Sequence, residues 1–168
     1  MKNKKKAFFL DRDGVINKDI GYLSKISQFK WLFGAKRAIK LLNDHKYKVI
    51  VISNQAGVAK GHIKPKFLKE LNLWINKSLS KNNARIDRFY YCLHHIDGKV
   101  KRYKFDSYDR KPKPGMLLKA IKRYDLNIKD CFMIGDRKKD FLAAKAAKIN
   151  FFYQKKDLFK QVKKIINV

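Results

Sequence analysis

The chain has 168 residues, of which 45% are hydrophobic and 13% aromatic, so it carries the apolar material of one ordinary core and a disordered basic tail is excluded. Its 42 Lys and Arg against 14 Asp and Glu leave a net charge of +28, a balance that raises nucleic acid or an anionic surface as a partner. The cations are spread along the whole chain rather than gathered in one arm, and a solvated lysine surface accounts for them, so a nucleic-acid role is not expected.

The lysine-rich start at residues 1–6 leads into an apolar run at residues 7–10 that stops at Asp11, too short for the core of a secretory signal. No stretch has the length of a membrane span, and Cys92 and Cys131 cannot build a disulfide scaffold, so a cytoplasmic, membrane-free protein is expected. Runs of strand length follow at residues 48–52, 89–92, 131–134 and 149–153. Between them Ala35, Ala38, Ile39 and Leu42 share one helical stripe, as do Phe67, Leu68, Leu71, Trp74 and Ile75, and then Leu117, Leu118 and Ile121. Pro65 and Pro114 stand where first-turn prolines belong. Leu158, Phe159, Val162, Ile165 and Ile166 form the apolar face of a last helix. Strands alternating with helices predict an α/β fold, a Rossmann-like parallel sheet with helices on both faces, in a single domain over residues 1–168. The one long aperiodic stretch, residues 94–113, reads as a binding loop that feeds a helix.

The first predicted strand runs into Asp11-Arg12-Asp13-Gly14, placing two carboxylates at the carboxyl end of a strand, where open α/β sheets bind ligands. One such acid can stay ionised as nucleophile or metal ligand while the other carries a proton. Alone, this pattern also fits a calcium-type turn or a solvated loop. The fourth strand ends in Gly135-Asp136, so a third carboxylate is expected at the same rim, and three together suit a hard cation such as Mg²⁺. Ser53 ends the second strand with a hydroxyl fit for a phosphoryl oxygen, and Arg110 and Lys111 bring positive charge from the long loop.

Asp11-x-Asp13-Gly14, Ser53, Lys111 and Gly135-Asp136-x-x-x-Asp140 resemble the four motifs of the haloacid-dehalogenase superfamily of phosphohydrolases. Leu10 to Asn17, Ser53 to Gly61, Tyr91 to His95 and Arg110 to Leu118 are similar to the D-glycero-D-manno-heptose 1,7-bisphosphate 7-phosphatase family and its sister histidinol-phosphate phosphatases. The resemblance implies a core with only loops as a cap, acting as a monomer on a small phosphorylated sugar. It implies that Asp11 is the nucleophile of an aspartyl-phosphate, that Asp13 is the acid and base, and that Ser53 and Lys111 hold the phosphoryl oxygens. Mg²⁺ is then held by the Asp11 and Asp136 side chains and the Asp13 carbonyl. Substrate contacts fall on Asp19, Ile20, Gly21, Tyr22, Asn54, Gln55, Ala56, Arg110 and Arg137, with Arg110 reading the substrate beyond the reacting phosphate. The implied reaction serves nucleotide-activated heptose for a surface glycan; histidinol phosphate and nucleic-acid 3′ ends are the alternative substrates.

The family's loop closes on zinc through a Cys-x-His pair and a later Cys-x-Cys. Here Cys92 and His94 keep the first half, while Ser107-Tyr108-Asp109 replaces the second. Two surviving ligands cannot fill a four-coordinate shell; Asp109 and His95 are the available substitutes, but the expected state is a loop that packs without structural Zn²⁺. Arg137 stands where the family often carries Lys. His45 and His62 read as surface residues, Cys131 as core, and Asp140 as a support for the cation cluster or a helix cap.

Overall fold

A strand buried on both faces has to be apolar at every position, and Ala7, Phe8, Phe9 and Leu10 are all fully buried in β1 (Lys5–Leu10). β1 is the centre of a five-stranded parallel sheet in a computed structural model that describes residues 4–168; the first residues of the basic start lie outside it. The other strands are β2 (Lys48–Asn54), β3 (Arg88–Cys92), β4 (Leu126–Gly135) and β5 (Asn150–Tyr153), in the spatial order β3-β2-β1-β4-β5. The chain therefore steps outward from β1 to β3 and then jumps back to the other side of β1. That reversal opens a crevice at the carboxyl ends of β1 and β4, the place where such sheets take ligands.

Alternation divides the core into two layers. Phe8, Leu10, Val49 and Val51 point toward α1 (Ala35–Asp44), α2 (Pro65–Ser80) and α5 (Leu158–Ile165), which contribute Ile39, Leu42, Leu71, Ile75, Leu158 and Val162. Ala7, Phe9, Ile50 and Ile52 point the other way, onto Met116, Leu117 and Ala120 of α3 (Gly115–Tyr124) and Ala143 and Ala144 of α4 (Lys138–Ala146). The alanines let α4 lie close to the sheet, which matters because its first turn reaches the crevice.

Three expected elements differ in extent. β4 begins five residues before the expected run, because Asn127, Lys129 and Asp130 hide an irregular first half; Lys5 pairs with Leu126, but Ala7 already pairs with Cys131. β2 continues through Ser53 and Asn54, which pair with Tyr91 and Cys92, so two polar residues belong to the strand itself. Pro114 precedes α3 as its cap rather than opening its first turn. No helix among the described residues is long and apolar enough to cross a membrane.

Candidate active site

β1 and β4 are in register at Leu10 and Ile134, so the residues that follow them emerge side by side. The Asp11 amide donates to the Ile134 carbonyl at 3.0 Å, which anchors Asp11 at the β4 edge. Gly14 then turns the chain with φ +86°, a left-handed conformation that favours glycine, and a side chain there would run into Asp136, whose Cγ lies 2.7 Å from the Cβ position. Gly135 makes a similar allowance for Asp140, whose Cγ lies 2.7 Å from the place its Cβ would take. The two glycines thus set three carboxylates against one another.

Lys111 crosses beneath them. Its buried ammonium lies 3.0 Å from Asp11 Oδ2 and 2.6 Å from Asp140 Oδ1, and it donates to the Ile52 carbonyl at 2.9 Å. Asn54 fixes the lysine from its backbone, donating to the Lys111 carbonyl at 2.9 Å and accepting from its amide at 3.0 Å. The second oxygen of Asp140 accepts from the Arg137 amide at 3.0 Å, so this acid both caps α4 and pairs with Lys111. Burial pushes the Asp11 carboxyl up to about 6 against the pull of Lys111. Lys111 itself is raised: burial opposes its charge, but Asp11 and Asp140 outweigh that. Both groups are therefore charged at neutral pH.

Asp13 has a different surrounding. Arg12, fully buried, meets it through Nε at 3.1 Å and Nη2 at 2.8 Å, while Asn17 and Gln55 each donate to it at 2.9 Å. Burial acts to raise its pKa, yet the Arg12 charge and these donors hold it below the usual carboxylate range. Two acids two residues apart are thus pushed in opposite directions, and both are ionised at neutral pH in the metal-free site.

The third carboxylate of the rim has an oxygen to spare. Asp136 Oδ1 has no hydrogen-bond partner among the described residues, and oxygens of Asp11, Asp136 and Asp140 lie within 4.8 Å of one another. A buried anionic oxygen without a donor is costly, and a divalent cation with oxygen ligands relieves that cost. The residues fit such an ion, with Asp11 and Asp136 as side-chain ligands and Asp140 committed to Lys111 and the helix.

Asp11 and Asp13 face a cavity of about 280 Å³ that is also lined by Ser53, Asn54, Gln55, Ala56, Asp19, Gly21, Tyr22, Arg110 and Arg137. Ser53 is buried beside Gln55, whose Nε2 donates to its hydroxyl at 3.0 Å. Arg137 pairs with Asp19 at 2.6 Å, joining the β1 loop to the β4 loop across the opening. Tyr22 stacks on His62 with ring centroids 4.5 Å apart and forms the outer lip, so His62 is a surface residue with a neighbour in the site. Ile20 is exposed and does not line the cavity; Lys111 is buried beneath Asp11, and Asp136 stands beside Asp11 without lining it. Lys60, His95 and Lys139 line it as well; Lys60 and His95 fall inside the segments that carry the resemblance but are not among the expected substrate contacts, and nothing in its local sequence marks Lys139. Burial and the nearby Lys111 charge lower the pKa of Lys139.

A model of the haloacid dehalogenase-like hydrolases matches residues 11–148, the span that holds every one of the acids just described. The chain belongs to the haloacid dehalogenase-like hydrolases. It is 43% identical to a D-glycero-beta-D-manno-heptose-1,7-bisphosphate 7-phosphatase of Pasteurella multocida over 86% of this chain and 78% of that protein. It is 40% identical to a D-glycero-alpha-D-manno-heptose-1,7-bisphosphate 7-phosphatase of Photorhabdus laumondii over 88% of this chain and 80% of that protein. The fold matches the crystal structure of a D,D-heptose 1,7-bisphosphate phosphatase from B. bronchiseptica, complexed with magnesium and phosphate. There the TM-score is 0.81 at 23% identity, covering 96% of this chain and 98% of the other.

In this hydrolase the loop over residues 94–113 is held by ordinary contacts. Cys92 Sγ lies 4.0 Å from His94 Nδ1, and burial raises the thiol's pKa. Phe105 packs on the His94 ring at 4.1 Å, Ser107 Oγ accepts from the Asp109 amide at 3.2 Å, and the Asp109 carboxylate pairs with Lys119 of α3. His95 turns to the cavity, so it is not gathered with Cys92 and His94. Arg110 donates to the His94 carbonyl at 3.2 Å, linking this loop to the pocket.

Proposed function

We propose that this hydrolase is a Mg²⁺-dependent phosphatase that removes the 7-phosphate of D-glycero-D-manno-heptose 1,7-bisphosphate through an aspartyl-phosphate. The single observation that carries the reading is the carboxylate cluster at the strand ends: Asp11 paired with Lys111, Asp13 held two residues on by Arg12, and Asp136 with an unpartnered oxygen beside them. The substrate class comes from the heptose bisphosphate phosphatases it matches at up to 43% identity.

In this mechanism an Asp11 oxygen attacks phosphorus in line as the bond to the sugar oxygen breaks, and Asp13 gives that oxygen a proton. Water then attacks the aspartyl-phosphate and returns a proton to Asp13, releasing phosphate and restoring Asp11. Asp13 is ionised before substrate arrives. The dianionic phosphate that enters beside it offsets the Arg12 field and raises its proton affinity, so Asp13 takes up one proton from solvent as substrate binds, gives that proton to the sugar oxygen, and loses the one gained from water when phosphate leaves. When bound, Mg²⁺ held by Asp11, Asp136 and the Asp13 carbonyl supplies charge neutralisation for the transferring group. Ser53 and the backbone beside it receive the phosphoryl oxygens, and Lys111 keeps Asp11 ionised and oriented.

Arg110, Asp19, Gly21, Tyr22, Asn54, Gln55, Ala56 and Arg137 line the wall against which the sugar and its second phosphate would lie. We read the chain as one cytoplasmic, monomeric domain. A phosphate-release panel with Mg²⁺ tests the assignment, comparing both anomers of heptose 1,7-bisphosphate, histidinol phosphate and 3′-phosphorylated DNA. Preferential release from a heptose bisphosphate supports it, and preference for either of the others overturns it.

A further inference from the structure

A transferring phosphoryl group needs a cationic donor with protons to spare, and the cations around this cavity differ in how far theirs are committed. Lys111 carries three donors and faces three protein oxygens, on Asp11, Asp140 and Ile52. Arg12 does not line the cavity and pairs with Asp13, Arg137 spends part of its fork on Asp19, and Arg110 spends one N–H on the His94 carbonyl. Two lining cations make no hydrogen bond or ion pair among the described residues. One of them, Lys60, stands over the Tyr22 ring at 5.9 Å, on the outer lip. The other, Lys139, is half-buried in the first turn of α4 and lines the same cavity as Asp11, Asp13 and Ser53. The charges bearing on it are Lys111, Asp11, Asp140 and Arg137, which places it at the reacting end.

We infer that Lys139 is the uncommitted donor for the reacting phosphate, contacting its oxygens in the substrate and holding inorganic phosphate after release. The inference rests on the phosphatase reading and extends it to a residue that the motif spacing leaves unassigned. A half-buried ammonium without a partner is a cost in the empty site, and an incoming phosphate removes that cost with a charge-assisted hydrogen bond. Its place one residue before Asp140 keeps the stem on the helix whose cap is tied to Lys111, so donor and nucleophile are positioned by one connected set of contacts.

Calorimetric titration with inorganic phosphate in the presence of Mg²⁺ tests this on the whole chain. Lys139→Gln should weaken phosphate binding by about 10- to 100-fold, the range for losing one hydrogen bond to a charged group, and phosphate inhibition of turnover should weaken in parallel. Lys139→Arg should restore most of the affinity. Lys138→Gln removes the same charge from the exposed neighbouring position and should leave binding nearly unchanged. Because the Lys139 side chain is half-buried and makes no hydrogen bond or ion pair among the described residues, Lys139→Gln should melt no lower than wild type, so weakened binding will not reflect a damaged fold. Unaltered phosphate binding in Lys139→Gln, or equal weakening in both Gln variants, would overturn the inference. Failure of the phosphatase reading would show separately, as wild-type protein that releases no phosphate from any bisphosphate.

Discussion

The rim between β1 and β4 and the loop over residues 94–113 are built on different terms. At the rim, sheet register places the acids and buried partners fix them: Asp11 on Lys111, Asp140 on Lys111 and its helix, Asp13 on Arg12. In the loop, small contacts between half-exposed side chains do the work, such as Phe105 on His94 and Asp109 on Lys119. Arg110 is where the two regions meet.

The largest effects should come from the rim. Asp11→Asn should abolish phosphate release while the circular dichroism spectrum and melting curve stay native, and Asp13→Asn should lose about two to four orders of magnitude in kcat as a missing acid and base. Lys111→Met should cost about 3–5 kcal/mol in urea unfolding, because two buried carboxylates lose their counter-charge. Arg110→Ala should lower kcat/KM for the heptose bisphosphate by about 1.5–3 kcal/mol while hardly changing hydrolysis of a small monophosphate. An equal loss on both substrates would assign Arg110 to the reacting end instead.

The same contrast sets the response to acid. Asp11 lies at about 6 without metal, raised by burial, so below that pH a proton competes with the cation for its carboxylate. Mg²⁺ affinity should be flat above pH 6 and fall by up to about tenfold per unit beneath it, as measured by metal titration of chelator-treated protein. The loop should give the smallest effects. Lys119→Met breaks an exposed ion pair with Asp109 and should cost under about 1 kcal/mol, and elemental analysis should find far less than one zinc per chain. Stoichiometric zinc on Cys92 and His94 would erase the distinction between the two regions.

The rim was legible because apolar runs that end abruptly in Asp mark strand ends, and both β1 and β4 do so. α4 as a helix was hidden, since its buried face is made of Ala143 and Ala144 among lysines and has little apolar period. The first half of β4 was hidden for the opposite reason, its polar side chains belonging to an irregular, partly exposed stretch. The supporting groups were the hardest to see. Arg12, Asn17 and Asn54 act through contacts with Asp13 and the Lys111 backbone, and Asn54 and Lys111 are far apart in sequence. A basic composition also made Lys139 look like one more solvated lysine, and only its place in the cavity distinguishes it.

The central claim is that phosphorus passes through Asp11 rather than directly to water. Turnover of a heptose bisphosphate whose 7-phosphorus is made chiral with sulfur and oxygen isotopes tests it most directly, because each in-line displacement inverts the centre. Two displacements, onto Asp11 and then onto water, predict net retention in the released thiophosphate; net inversion would mean a single attack by water and would contradict the account.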